Sequence, residues 1–196
     1  MNIDKPITYP PIYVTSFGGD VANNTVLSFE NITYEDLSFT FTSMLDIDLG
    51  TMGDLQIDGF TIKNVELSDV RGFSIQSARD VSIYNILIDG VTLNHYMLIQ
   101  INSENIEVIN ATMQNLQGET MLNHVSDFMY NSSSMFDMIM LKNNSIQYNE
   151  AFFYFHSMMQ STLSIKNSII EDIYISPTAS IIQTSSVYTA MIDTFV

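Results

Sequence analysis

The feature that most constrains the fold is a stretch, residues 55–118, in which one pattern is written more than twice. Residues 55–67, LQIDGFTIKNVEL, align without a gap on residues 81–93, VSIYNILIDGVTL. The same frame continues over residues 106–116, IEVINATMQNL. A repeat of this length predicts stacked structural units, because one such unit cannot bury its apolar face alone.

Apolar residues alternate within each unit, as in Leu55 and Ile57, then Phe60 and Ile62. Period-two alternation in short runs broken by Asn, Asp or Gly predicts short strands joined by sharp corners rather than helices. The units start at Leu27, Leu55, Val81, Ile106, Ile139, Leu163 and Thr189. The sequence therefore predicts an all-β, three-sided parallel β-helix (a solenoid) of about six to seven turns, with 24–28 residues in most turns.

Equivalent positions should then form chemically uniform columns along the solenoid. Two predicted inward columns are apolar in every unit: Phe29, Ile57, Ile83, Val108, Leu141, Ile165 and Met191, and Tyr34, Ile62, Ile88, Met113, Ile146, Ile170 and Val196. The first predicted corner column is Asn31, Gly59, Asn85, Asn110, Asn143, Asn167 and Asp193. The second is Asp36, Asn64, Gly90, Asn115, Tyr148 and Asp172. Asn and Gly suit such corners because both tolerate left-handed backbone angles, and stacked Asn side chains can hydrogen-bond between turns.

The repeat frame divides the chain into a lead-in and a solenoid. Residues 1–26 do not fit the frame and are predicted to be irregular or a partial coil, whereas residues 27–196 form the β-helix. The interval of 33 residues between Ile106 and Ile139 predicts an inserted loop at about residues 127–136. The last unit stops at Val196 without a polar cap, so we expect the chain to continue or to stack on another copy.

The corner asparagines and inward aliphatic columns of residues 27–196 resemble the right-handed parallel β-helix repeats of the pectin-lyase-like superfamily. The resemblance implies right-handedness and membership of a superfamily that includes polysaccharide lyases and hydrolases, phage tailspikes, autotransporter adhesins and repeat segments of large surface proteins. It is specific for architecture and does not select one of these functions.

The charge of the chain excludes several partners. Twenty-two Asp and Glu against six Lys and Arg give a net charge of −16, which would repel nucleic acid and anionic lipid surfaces. No apolar run is long enough to span a membrane, and no signal peptide is visible in this segment. The chain has no cysteine, and no motif predicts a cofactor. Calcium would suit an acidic surface, but no calcium-binding motif supports it.

Catalytic residues are not evident in the sequence, so an enzyme is not predicted. The candidates are Asp46, Asp48 and Asp58. With an offset of 28 residues, however, Asp46 and Asp48 would face Ser74 and Gln76, so the carboxylates would not cluster between turns. The three histidines, His95, His124 and His156, do not share a column, which argues against a metal site built from them.

Five asparagines lie in N-glycosylation sequons: Asn23, Asn31, Asn110, Asn131 and Asn143. Three of them fall in the predicted corner column, where an inward-facing Asn could not carry a glycan. Asn131, in the predicted loop, and Asn23, in the lead-in, are therefore the preferred acceptors.

These observations favour a structural or interaction segment of an extracellular or cell-surface β-helical protein. Such a segment would serve as a stalk, adhesin or filament subunit, with itself, neighbouring β-helical segments or surface glycans as partners. The alternative is a carbohydrate-active enzyme or a glycan-binding β-helix that uses the acidic residues at positions 46–58.

Overall fold

The computed structural model of the chain describes residues 12–15, 26–126, 131–146, 151–157, 161–185, 187 and 189–195. All the regular structure in these ranges is β, in one 14-stranded sheet with parallel pairing. The strands are β1 Ile12–Thr15, β2 Val26–Thr40, β3 Leu45–Ser68, β4 Phe73–Asn94, β5 Ile99–Gln114, β6 Gln117–Gly118, β7 Leu122–Ser126, β8 Ser132–Lys142, β9 Ser145–Ile146, β10 Ala151–Ser157, β11 Ser161–Glu171, β12 Tyr174–Ile175, β13 Ser180–Ser185 and β14 Thr189–Phe195.

Each turn contains four paired runs, and every run pairs with the equivalent run of the next turn. In one turn the first, second, third and fourth runs are residues 81–84, 86–89, 91–94 and 99–102. A single left-handed residue forms the first corner, here Asn85 with φ 55°, and another forms the second corner, here Gly90 with φ 68°. The fold is therefore a parallel β-solenoid, as predicted, with about five turns, slightly fewer than expected.

The predicted register is confirmed over the first four turns. Phe29 pairs with Ile57, Ile57 with Ile83, and Ile83 with Val108. The second column likewise runs through Tyr34, Ile62, Ile88 and Met113. Apart from the half-buried Phe29, these side chains are buried in a continuous apolar core. Burial of each large aliphatic or aromatic side chain stabilises the fold by about 1.5–3 kcal/mol.

The predicted register is wrong over residues 132–146. Ile106 pairs with Ser134 rather than Ile139, so Val108 pairs with Phe136 and Met113 with Leu141. The predicted column members Leu141 and Ile146 thus each lie five residues after the residues that occupy those positions, which are Phe136 and Leu141. The error arose because Ile139, Leu141 and Asn143 reproduce the strand-and-corner pattern better than Ser134, Phe136 and Met138 do. Phe136 is nevertheless buried, which satisfies the inward position of the first run.

Other boundaries of the prediction fall partly outside the described residues. Residues 127–130 of the predicted loop are not described, and the part from Ser132 onwards belongs to β8, which pairs with β5 and β11. Of the lead-in before Val26, only Ile12–Thr15 is described, and it pairs with residues 45–48 of β3. Val196 lies outside the described residues. Ile165 pairs with Ile192, one residue later than predicted.

The first corner column is likewise corrected. Asn31, Asn85, Asn110 and Asn167 are left-handed as predicted, with Gly59 in the same column. Met138, with φ 55°, occupies the position assigned to Asn143. Asn143 belongs to the second corner, and Asp193 pairs with Lys166 instead of standing at the corner. The corner asparagines are exposed, so the expectation that they face inward is wrong.

Candidate functional site

Amide ladders join the corners of successive turns. Asn110 donates from Nδ2 to Oδ1 of Asn85 at 2.7 Å, and Asn143 donates in the same way to Asn115 at 2.7 Å. Such bonds keep the side-chain amides paired while the left-handed backbone turns sharply. The ladders therefore serve the architecture, as the sequence predicts for stacked corner asparagines.

An aspartate replaces the missing amide wherever the corner below is not Asn or Asp. Asn85 lies above Gly59 and donates to Asp58 at 2.6 Å, and Asn115 lies above Gly90 and donates to Asp89 at 2.6 Å. Asn167 lies above Met138 and donates to Asp137 at 2.8 Å. In each case the aspartate directly precedes the corner residue. The sequence carried this signal, and reading it would have assigned Asp58 a structural role.

The candidate catalytic residues are not brought together. Asp46 and Asp48 pair with Ser74 and Gln76 on the fourth run, as the 28-residue offset predicts. Asp58 lies at the end of a first run, bound to Asn85. These carboxylates therefore belong to two different runs of the turn, and Asp58 already serves the corner ladder. They do not form the facing pair that glycoside hydrolysis needs.

A concave surface in the described part of the chain lies at the third corner, between the third and fourth runs. Two adjoining depressions with volumes of about 430 and 300 Å³ share Asp69 and Tyr96, and we call them together the third-corner groove. The larger lobe is lined by Asp69, His95, Tyr96, Met97, Glu119 and Thr120. The smaller lobe is lined by Ser43, Asp46, Asp69, Val70, Arg71, Ser74, Gln76 and Tyr96.

The groove combines an exposed aromatic ring with charged and neutral polar groups. The Tyr96 side chain is 51% exposed, so its ring is available to a ligand. His95 and Tyr96 have φ angles of 68° and 67°, an uncommon pair of left-handed backbone positions for non-glycine residues. His95 Nδ1 lies 3.8 Å from Glu119 Oε1. This site could not be recognised in the sequence, because irregular corner residues in a single turn form no repeat pattern.

The polar floor of the groove is provided by the outward side of the fourth run. Gln76 donates from Nε2 to Ser74 Oγ at 3.1 Å, which fixes the amide against the hydroxyl. Asp46 lies in the same column as Ser74, and Arg71 lines the same lobe. An aromatic face beside hydroxyl, amide, carboxylate and guanidinium groups can bind a polar, hydroxyl-rich ligand. Of the candidate catalytic residues, only Asp46 lines this groove.

The three histidines occupy different environments, and none shares a column with another. His95 is exposed at the third corner, whereas His156 pairs with Val125 on the fourth run. His124 is 2% exposed and pairs with Ile101 and Phe155. Burial lowers the pKa of His124 to about 4, so its imidazole is neutral at pH 7. Among the described residues no group of three His, Asp or Glu side chains could hold a metal ion.

Four of the five sequon asparagines can be placed. Asn31, Asn110, Asn131 and Asn143 are exposed, and Asn23 lies outside the described residues. Asn110 and Asn143 use their Nδ2 atoms in the corner ladders. The sequence argument against corner acceptors assumed an inward orientation, which the exposed corners contradict. Glycosylation itself stays a prediction.

No helix in the described ranges is long and apolar enough to cross a membrane. In comparisons with protein-family models, curated proteins and solved structures, nothing matches this chain.

Proposed function

We propose that this chain is a structural or interaction segment of an extracellular or cell-surface β-helical protein, such as a stalk, adhesin or filament subunit. The segment stacks end to end on other copies of itself or on neighbouring β-helical segments. The observation that carries this proposal is the continuity of the ladder. One parallel sheet connects Val26 to Phe195 through the described residues, and one buried apolar core extends along it from Tyr34 to Ile165. Because each turn contacts chiefly its two neighbours, such a solenoid acts as a rod whose length grows with the number of turns.

Support for stacking comes from β14. Within the described part of the chain, this strand pairs on one edge only, with β11. It exposes Met191 and Ile192, whose side chains are 56% and 49% accessible. An unpaired strand edge with apolar side chains is a template for pairing with another strand. The net charge of −16 opposes association at low salt, so added salt should strengthen it.

Stacking can be tested by sedimentation velocity over a concentration series in low and high salt, combined with negative-stain electron microscopy. We expect rods that lengthen by whole segments, and we expect Met191→Lys with Ile192→Lys to abolish this growth. Met138→Lys with Met140→Lys is the matched control, because these residues are 48% and 37% exposed but lie on β8, whose two edges pair with β5 and β11. A wild-type chain that stays monomeric under all conditions would contradict end-to-end stacking.

A second candidate function, binding of surface glycans, is favoured by the third-corner groove. Tyr96 offers a ring face on which a sugar ring could stack, and Asp46, Asp69 and Gln76 offer hydrogen-bonding groups around it. This candidate makes no use of catalysis. It replaces the idea of an acidic cluster at residues 46–58 by a groove that includes Asp46 alone from that range.

Glycan binding can be tested by a glycan array followed by calorimetry on any ligand found. Tyr96→Ala should weaken binding by at least about tenfold, which corresponds to the 1.4 kcal/mol or more expected of a central aromatic anchor. Tyr174→Ala is the matched control, because Tyr174 is 67% exposed but lies outside the groove. Equal losses in both variants, or none in either, would exclude the groove as the binding site.

A further inference from the structure

The interior of the solenoid changes character at the fourth corner, between the fourth and first runs. Most of the core is aliphatic and aromatic, but here it is lined by serines that are 0–5% exposed. We call this set the serine seam; its members are Ser103, Ser126, Ser132, Ser157 and Ser161. Hydroxyl groups this deeply buried are costly unless each finds a hydrogen-bond partner.

Four of these serines face one another on two adjacent turns. Ser126 pairs in register with Ser157, and Ser132 pairs with Ser161. Ser132 Oγ and Ser157 Oγ are 3.2 Å apart and share a hydrogen bond. Adjacent turns are about 4.8 Å apart, so the short Ser132–Ser157 contact places Ser126 and Ser161 on opposite sides of that hydrogen bond. The seam is therefore a compact polar site within an apolar interior.

Two hydroxyls of the seam have no protein partner. The Oγ atoms of Ser126 and Ser161 are buried and make no hydrogen bond with any residue that the structure describes. Leaving one such group unsatisfied costs about 1–3 kcal/mol. Alanine at both positions would fill nearly the same space without this cost. The two serines thus point to a ligand that hydrogen-bonds them.

The seam also has an opening to solvent. A surface pocket of about 260 Å³ is lined by Asn105, Asn131, Ser132, Ser133, Ser161, Thr162 and Thr189. Ser132 and Ser161 belong to both the pocket and the seam. No charged side chain lines the pocket, and Asn105 is engaged, since it donates to Asp80 and accepts from Ser133. A small neutral molecule could therefore reach the seam without crossing the apolar core.

The seam continues to the buried histidine. Ser103 Oγ donates to the backbone oxygen of Asn105 at 3.0 Å and lies 3.1 Å from His124 Nε2. On the other side of the ring, Ser134 Oγ lies 2.8 Å from Nδ1. Because Nε2 also lies 3.1 Å from the Ser103 backbone oxygen, Nε2 carries the proton and Nδ1 accepts from Ser134. The polar groups at this end of the seam are thus already satisfied.

We propose that the serine seam is an internal water-binding site, in which separate ordered waters hydrogen-bond to Ser126 Oγ and to Ser161 Oγ, and the water at Ser161 exchanges through the pocket beside Asn131. Water fits because it donates and accepts, as hydroxyls do, and buried water is held by two to four such partners. A metal cation is a poorer fit, because the seam supplies neutral hydroxyls and no carboxylate. An apolar guest would leave both hydroxyls unsatisfied.

The test is a high-resolution crystal structure of the wild-type chain, with a second crystal exposed to xenon gas. We expect one density peak within about 3.2 Å of Ser126 Oγ and another within about 3.2 Å of Ser161 Oγ, each with two to four polar neighbours, and no xenon in the seam. Magnetisation transfer from water to nearby amides should show the same site in solution. In the double variant Ser126→Ala with Ser161→Ala both peaks should disappear. In Ser38→Ala, an exposed control on the third run, both peaks should remain.

Three results would overturn the proposal. The first is a seam in which the serine hydroxyls hydrogen-bond one another and no solvent peak is present. The second is xenon binding in the seam, which marks a dry apolar cavity. The third is a peak with six or more oxygen ligands at the short distances of a metal ion. The wild-type crystals decide between these outcomes even if the double variant fails to fold.

Discussion

Protonation of His124 should destabilise the fold in mildly acidic solution. The ring is sealed between Ile101 and Phe155 on the adjacent turns, and its nitrogens contact Ser103 and Ser134. None of these neighbours carries a charge that could compensate an imidazolium. Burial therefore lowers the pKa of His124 from 6.5 to about 4 in the folded chain.

The size and direction of the effect follow from proton linkage. As the pH falls below 6.5, the unfolded chain binds a proton at His124 while the folded chain does not. The free energy of unfolding therefore decreases between about pH 6.5 and pH 4, and this contribution is constant below pH 4. Each pH unit is worth about 1.4 kcal/mol, so the total loss from this group is about 3 kcal/mol.

Urea unfolding of the wild type and His124→Gln at pH 7, 6, 5 and 4 isolates this contribution, because the carboxylates titrate in both proteins. The difference in unfolding free energy should change by about 3 kcal/mol over this range, in favour of the variant at low pH. Ile101→Val is the control, because it perturbs the same packing but keeps the imidazole, and its profile should run parallel to that of the wild type. A constant difference between wild type and His124→Gln would refute the argument.

Three further predictions test other parts of the structure. Tyr34 donates to the Met44 carbonyl and burial raises its pKa to about 12, so Tyr34→Phe should cost about 1 kcal/mol at pH 7, and the stability advantage of the wild type over this variant should shrink as the pH rises from 10 to 12 in chemical denaturation. Gly59 has φ +73° and an added Cβ would lie 2.8 Å from Asn31 Oδ1, so Gly59→Ala should lower the unfolding free energy by about 1–2 kcal/mol; an unchanged thermal midpoint would contradict this. Phe152 is fully buried beside Phe153, and Phe152→Ala should cost about 3–5 kcal/mol in urea unfolding, while Phe41→Ala, at an exposed corner, should cost far less.

The architecture could be predicted because its signal repeats. Inward columns such as Ile57, Ile83 and Val108 carry the same chemistry at each turn, and corners such as Asn85 and Asn110 need the left-handed backbone that Asn tolerates. Each column is thus observed several times in one sequence.

The register failed where one turn departed from the pattern. Met138 stands at a corner where Asn is expected, so the alignment moved to the next asparagine, Asn143. Asp137 compensates by accepting the ladder hydrogen bond from Asn167. Because an aspartate also precedes Gly59 and Gly90, this compensation follows a rule that the sequence already contains.

The third-corner groove and the serine seam could not be predicted. Residues such as His95 and Tyr96 occur in one turn only, so no column reveals which side they face. Serine reads as an outward or turn residue in a strand pattern, although Ser126 and Ser161 face the interior. Both features depend on how individual turns deviate from the repeat, and that information is absent from the repeat itself.

Engineered disulfides test most directly whether one unbroken ladder runs through the middle of the chain. The protein has no cysteine, so any pair introduced can be read without interference. The structure pairs Thr112 with Met140, whereas the repeat alignment would pair Thr112 with Ser145. Adjacent parallel strands lie about 4.8 Å apart, within the range that a disulfide spans. Thr112→Cys with Met140→Cys should crosslink rapidly in the folded chain, and Thr112→Cys with Ser145→Cys should keep free thiols; the reverse result would contradict the structure.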